Sequence, residues 1–185
     1  MGRLAFGGDL ATQSSVYLLG MMVLWSVVKA WSAIRRLQIG EHRTWIIRAW
    51  SYQAQVLTER AVIGLLIAYL TAARGYYYAI PCDEVAYILN DQELYVRDYP
   101  QCQSEWTGSR VTHVSIEANA AAKTELGITA AARSAFGASM WIAILIHVLG
   151  TEYYLYKTKD ESERLQELST KRQKARQALK EKPRQ

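Results

Sequence analysis

Apolar residues along this chain gather into three long runs, with polar stretches between and after them. The first run, SSVYLLGMMVLWSVVKAWSAI, extends from about Ser14 to Ile34 and carries a single charge, Lys29. About 20 helical residues rising about 1.5 Å each cross a hydrocarbon core about 30 Å thick, so this run predicts a transmembrane helix. Lys29 lies near its end, where the long stem can carry the ammonium out to the headgroups. A cleaved signal peptide is the competing reading. It is disfavoured because only Arg3 precedes the run as a basic residue and no A-x-A-like site follows a short apolar core.

A polar turn, RRLQIGEHR, leads to a second predicted helix from about Trp45 to Ala73. Its C-terminal half, AVIGLLIAYLTAA, is apolar, whereas its N-terminal half, WIIRAWSYQAQVLTER, holds Arg48, Gln53, Gln55, Glu59 and Arg60. Such residues are prohibitive against lipid, so that half must face protein, water or headgroups. A long amphipathic helix lying partly in the interface is the alternative. The third run, FGASMWIAILIHVLGTEYYLY from about Phe136 to Tyr156, has His147 and Glu152 as its only strongly polar residues. Trp141 and the tyrosines at 153, 154 and 156 suit an interfacial belt, and Gly137 and Ser139 suit close helix contacts.

The stretch 74–135 is polar and holds both cysteines. Within it YYYAIPCDEVAYIL and RVTHVSIEA read as a short helix and a strand or two, and the alanine-rich segment from Ala118 to Ala135 reads as helix running into the third span. The tail from Lys157 to Gln185 has helix formers throughout and few apolar residues. A solvated helix fraying into disorder is preferred there over a specific binding element. The domain reading is therefore a transmembrane domain over 1–156 and a basic tail over 157–185.

Composition changes this picture little. Half of the 185 residues are apolar, and the net charge of +5 arises almost wholly from the tail and the turn around Arg35, Arg36 and Arg43. Basic residues there fit the cytosolic side of a membrane protein, and nucleic acid is not an expected partner. No cysteine or histidine spacing suits a metal. With three crossings the turn and the tail share the cytosolic side, which puts the N-terminus and the 74–135 loop outside or in a lumen. Disulfides persist there, so a Cys82–Cys102 bridge is expected, with two unpaired thiols as the alternative. The fold class is then an all-α membrane protein with about three transmembrane helices, a disulfide-closed outer loop and a helical or disordered cytosolic tail.

Arg48, Tyr52, Gln55 and Glu59 follow spacings of four, three and four and form one helical stripe, expected to face the bundle interior. Glu59, Arg60 and His147 fall near the middle of their spans, while Lys29, Arg48 and Glu152 share a depth nearer the cytosol. Charges in lipid are stable only when paired, so Glu59, Arg60 and His147 are expected to come together and Lys29, Arg48 and Glu152 to form a second group, with Arg48, Glu59, Arg60, His147 and Glu152 making up the intramembrane polar cluster. Its functional reading is a proton or ion relay or a cofactor pocket; its plain reading is helix packing that fixes register. Haem is the cofactor to weigh, held by a membrane histidine in an electron carrier. Only His147 sits at membrane depth, with His42 at the edge and His113 in the loop, so a second axial histidine would need a second subunit, from a homo-oligomer or a partner membrane protein, or a further helix. No catalytic signature is present, and whether the chain is an enzyme stays open.

HRTWIIRAW, from His42 to Trp50, resembles the His-Arg-x-Trp-Met-(Ile/Leu)-Arg signature of a family of predicted polytopic membrane proteins of unknown function with bacterial and fungal members. His42, Arg43, Trp45, Arg48 and Arg60 match; Ile46 replaces the usual Met, and Glu59 stands where the family has an apolar residue. AFGG, YYYAIPCDEVAYIL, IHVLGTEYYL and ESERL extend the similarity over most of the chain. The resemblance implies a polytopic membrane protein and no particular activity. It also implies one or more helices ahead of AFGG, which would make this chain a shortened version or an incomplete gene model.

Overall fold

A computed structural model describes residues 9–102 and 113–181; AFGG at 5–8, residues 110–112 of RVTHVSIEA and the last four residues lie outside them. The elements run α1 (Leu10–Arg35), α2 (Ile39–Ala73), β1 (Tyr77–Pro81), α3 (Cys82–Leu89), α4 (Gln92–Asp98), β2 (His113–Glu117), α5 (Glu125–Lys157) and α6 (Lys159–Glu181). The fold is all-α apart from one two-stranded sheet. Helices α1, α2 and α5 are each long and apolar enough to cross a membrane.

All three exceed their predicted bounds, for reasons that are local. Between α1 and α2 the polar RRLQIGEHR was expected as a turn, yet only 36–38 leave the helix. Leu37 adopts a left-handed conformation, φ 60°, and the Gln38 amide reaches back to the Ala33 carbonyl at 2.9 Å, the wrap that closes a helix tightly. The chain can therefore re-enter a helix at Ile39 rather than Trp45. At the far end, the alanine-rich lead-in runs as helix into the apolar run as expected, but from Glu125 rather than Ala118, because a short turn at Ala120–Ala122 precedes α5. The Thr124 hydroxyl accepts from the Gly127 amide and starts it.

The chain divides into two compact units, residues Met1–Ser14 with Glu59–Trp141 and residues Ser15–Thr58 with Ile142–Gln185, and the long helices run through both. The first unit is built on a disulfide-closed core. Antiparallel β1 and β2 pair Ile80 with Val114 and Tyr78 with Ile116. Ile80, Val85, Val114, Ile116 and both cysteines are buried with Leu126, Ala130 and Ala131 of α5. The Cys82–Cys102 bridge, spanning 20 residues, links the start of α3 to the turn after α4. Arg133 of α5 forms a two-pronged ion pair with Glu84 of α3. The Ala120 amide donates to the Thr71 hydroxyl of α2 at 3.2 Å. Gly137 admits the start of α1, since a Cβ there would sit 2.8 Å from Ala11 Cβ.

In the second unit the tail differs from the solvated helix its composition suggested. Helix α6 is docked on the start of α2: the Ile39 amide donates to the buried Ser169 hydroxyl at 2.8 Å, and Gln173 donates to the Arg36 carbonyl at 3.0 Å. Gly40 makes the approach possible, because a Cβ on it would lie 2.9 Å from the Ser162 carbonyl oxygen. Ser169, Gln173 and the close approach at Gly40 dock this helix, none of them a position that hydropathy singles out.

Candidate functional site

The first turns of α2 are tied to every other helix of the second unit by the side chains of HRTWIIRAW. His42 Nδ1 lies 2.8 Å from the Ala30 carbonyl of α1. Arg43 donates to Ser162 of α6 at 2.9 Å and to Thr158, between α5 and α6, at 3.2 Å. Arg48 forms a bidentate pair with Glu152 of α5, at 2.7 and 2.9 Å, with the Arg48 guanidinium also over the Trp45 ring at 4.7 Å. Parallel N–H donors on a carboxylate fix both distance and direction, so this pair sets the register of α2 against α5.

Above it on the same two helices lies a chain of hydroxyls around one imidazole. His147 Nε2 is 2.8 Å from Thr58 Oγ1, and Nδ1 is 3.3 Å from Ser51 Oγ. Ser51 Oγ in turn accepts from Thr151 Oγ1 at 2.5 Å. Ser51 and Thr58 stand seven residues apart on α2, two turns, and His147 and Thr151 four apart on α5, one turn, so helical geometry alone lines them up. Each hydroxyl can donate or accept, and either tautomer of the imidazole is satisfied, as is the imidazolium, which needs two acceptors.

Tyr52, Gln55 and Glu59, three of the four stripe residues, are buried. Glu59, in the first unit, accepts from Ser139 Oγ at 3.0 Å. Gln55 is fully buried, and neither end of its amide has a hydrogen-bond partner among the described residues. Arg60 is exposed and makes no hydrogen bond or ion pair among the described residues. Arg48 and Glu152, expected together at one depth, thus pair, while His147 and Glu59 each bind hydroxyls and Arg60 has no polar partner among the described residues. Ser51, Thr58, Thr151 and Ser139 are the partners that charge-based reasoning passed over. Their signal was helical spacing opposite His147 or Glu59.

No known family model matches the chain, and no curated protein or solved structure matches it either. Function has to be read from the side chains themselves. Five cations lie over aromatic rings in the second unit: Lys29 on Trp25 at 4.9 Å, Arg35 on Trp31 at 4.8 Å, Arg48 on Trp45, Arg43 on Tyr154 at 6.0 Å, and Lys157 on Tyr153 at 5.7 Å. Trp25, Trp31, Tyr153 and Tyr154 are exposed. Exposed rings paired with Lys or Arg suit the boundary between hydrocarbon and headgroups, where one part of each pair prefers each phase.

Proposed function

We propose that this chain is a multi-pass membrane protein whose bundle holds a proton-coupled site at His147, with the disulfide-closed region outside or lumenal and α6 in the cytosol. The observation that carries the proton reading is the pair of hydroxyl partners on the two imidazole nitrogens. A histidine used only for packing is commonly fixed in one tautomer by a carbonyl on one side, as His42 is held by Ala30. His147 instead has groups that accommodate the neutral and the charged ring alike. Imidazole is the side chain whose charge change falls in the physiological pH range, so a chain of hydroxyls meeting at it can take up and pass a proton.

The orientation rests on the cation and aromatic pairs, with Arg35 and Arg43 at the first turn and Lys157 at the head of the tail. The resemblance to the polytopic family fits this arrangement, since its signature residues His42, Arg43 and Arg48 are those that bind α2 to its neighbours. Lipid is the primary partner, and self-association or further membrane subunits are compatible with it.

Reconstitution into vesicles loaded with a pH-sensitive dye tests the proton reading. Wild-type protein should take up protons when a potential is imposed, and His147→Ala should lose at least nine-tenths of that uptake while retaining its Cys82–Cys102 bridge. Equal uptake by the two proteins, or none by the wild type, would leave His147 a packing residue. Haem is the alternative reading. It would have to displace Ser51 or Thr58 from the ring and find a second ligand in another subunit, and a Soret band in protein expressed with haem supplied would favour it.

A further inference from the structure

The three-crossing reading leaves one charge unexplained. Along α2, exposed Trp50 and exposed Tyr69 stand 73% and 57% accessible, and Tyr69 adjoins exposed Tyr76. At a rise of about 1.5 Å per residue these two positions are about 28 Å apart along the helix, close to the roughly 30 Å thickness of a hydrocarbon core, at whose boundaries such rings collect. Arg60 lies midway, about 13 to 15 Å along the axis from either ring. It is exposed, and it has no partner among the described residues. From that depth its stem does not bring the guanidinium to the headgroups without thinning the bilayer.

The surface around it is that of a helix contact. Leu57, Gly64 and Ala68 are exposed on the same face, at spacings of three and four from Arg60 or from each other. A Cβ on Gly64 would meet nothing within 4 Å, so another backbone can come close. We infer that this face of α2 docks a transmembrane helix of another protein that carries an aspartate or glutamate within its apolar stretch, placed to pair with Arg60.

Charge complementarity selects that occupant. A second copy of this chain offers no acid to match: α1 has no acidic residue, Glu59 is buried on Ser139, and Glu152 is engaged by Arg48. Two copies meeting symmetrically here would oppose Arg60 to Arg60. An uncharged helix would bury the guanidinium unpaired, which is the costly outcome.

The test uses the full-length chain in lipid vesicles with synthetic 24-residue leucine-rich transmembrane peptides bearing Asp, Asn or Leu at the centre, and reads association by energy transfer between labelled chain and peptide. Flotation with the vesicles is measured first. The Asp peptide should associate at least tenfold more tightly than the Asn and Leu peptides. Arg60→Leu should abolish that preference and Arg60→Lys should keep most of it. A chain that floats but binds the three peptides equally, or whose Asp preference survives Arg60→Leu, overturns the inference while leaving the crossings intact. Energy transfer between two labelled copies of the chain that Arg60→Leu removes would replace the foreign helix with self-association and overturn it too. A chain that fails to float would overturn the three crossings and this inference with them.

Discussion

Polar residues on the long helices of this protein sort by the partners they find. Among the described residues Arg48 has a carboxylate, His147 two hydroxyls, Glu59 one hydroxyl and Gln55 none. A buried amide without partners costs about 1–3 kcal/mol, so Gln55→Met, close in volume, should raise the unfolding temperature of the purified protein. A fall would mean that the amide is satisfied by a bound ligand or another chain. In the disulfide-closed unit, Arg133 hydrogen-bonds Glu84 and holds its carboxyl below the usual range, against a smaller opposing effect of burial. A depressed carboxyl stabilises the fold above the pH at which an unfolded glutamate ionises, and that gain is lost as pH falls through the native value. Glu84→Gln should therefore cost about 1–2 kcal/mol near neutral pH, the pair being partly exposed, and the gap from wild type should close in acid. Denaturation curves at pH 7 and pH 3 check both points. The stripe of Arg48, Tyr52, Gln55 and Glu59 was legible from spacing alone. The partner of each residue was not, because a charge was sought for each charge where the fold uses serine and threonine.

Whole elements show the same division. The three long runs announce their helices, since length and hydropathy are properties of sequence, but their ends depend on backbone detail such as the left-handed Leu37 and the Thr124 cap. The strand after the second cysteine is legible from alternation in RVTHVSIEA and the short helix from Cys82 in YYYAIPCDEVAYIL, whereas Tyr77–Pro81, read there with the helix, is instead the strand that pairs with β2. Helix α6 was the element hardest to read, because nothing in a polar, mixed-charge helix says that Ser169 meets a backbone amide or that Gly40 leaves room for the approach. Gly40→Leu puts a side chain where the Ser162 carbonyl now sits. It should release α6 and speed tryptic cleavage between Lys159 and Lys174 at least tenfold, while Gly20→Leu, in open surroundings on α1, should not. Unchanged cleavage in Gly40→Leu would show that α6 is held by other contacts.

For the molecule as a whole, three crossings make one strong demand. If α1, α2 and α5 each cross, the chain must leave the disulfide-closed region between α2 and α5 on one side of the membrane and α6 on the other. The exposed rings paired with Lys and Arg near the α1–α2 turn and at the end of α5, and Tyr69 and Tyr76 near the end of α2, are of the kind that suits a membrane boundary. Lys171 lies on α6, in a chain whose two cysteines are bonded to each other. A single Lys171→Cys substitution therefore adds one distinguishable thiol. Intact cells are treated with a membrane-impermeant reductant and then a membrane-impermeant maleimide. Cys82 and Cys102 should label from outside, or from the lumenal face in sealed organelles, and residue 171 only after permeabilisation. Labelling of all three positions from the same side of an intact membrane would contradict three crossings outright.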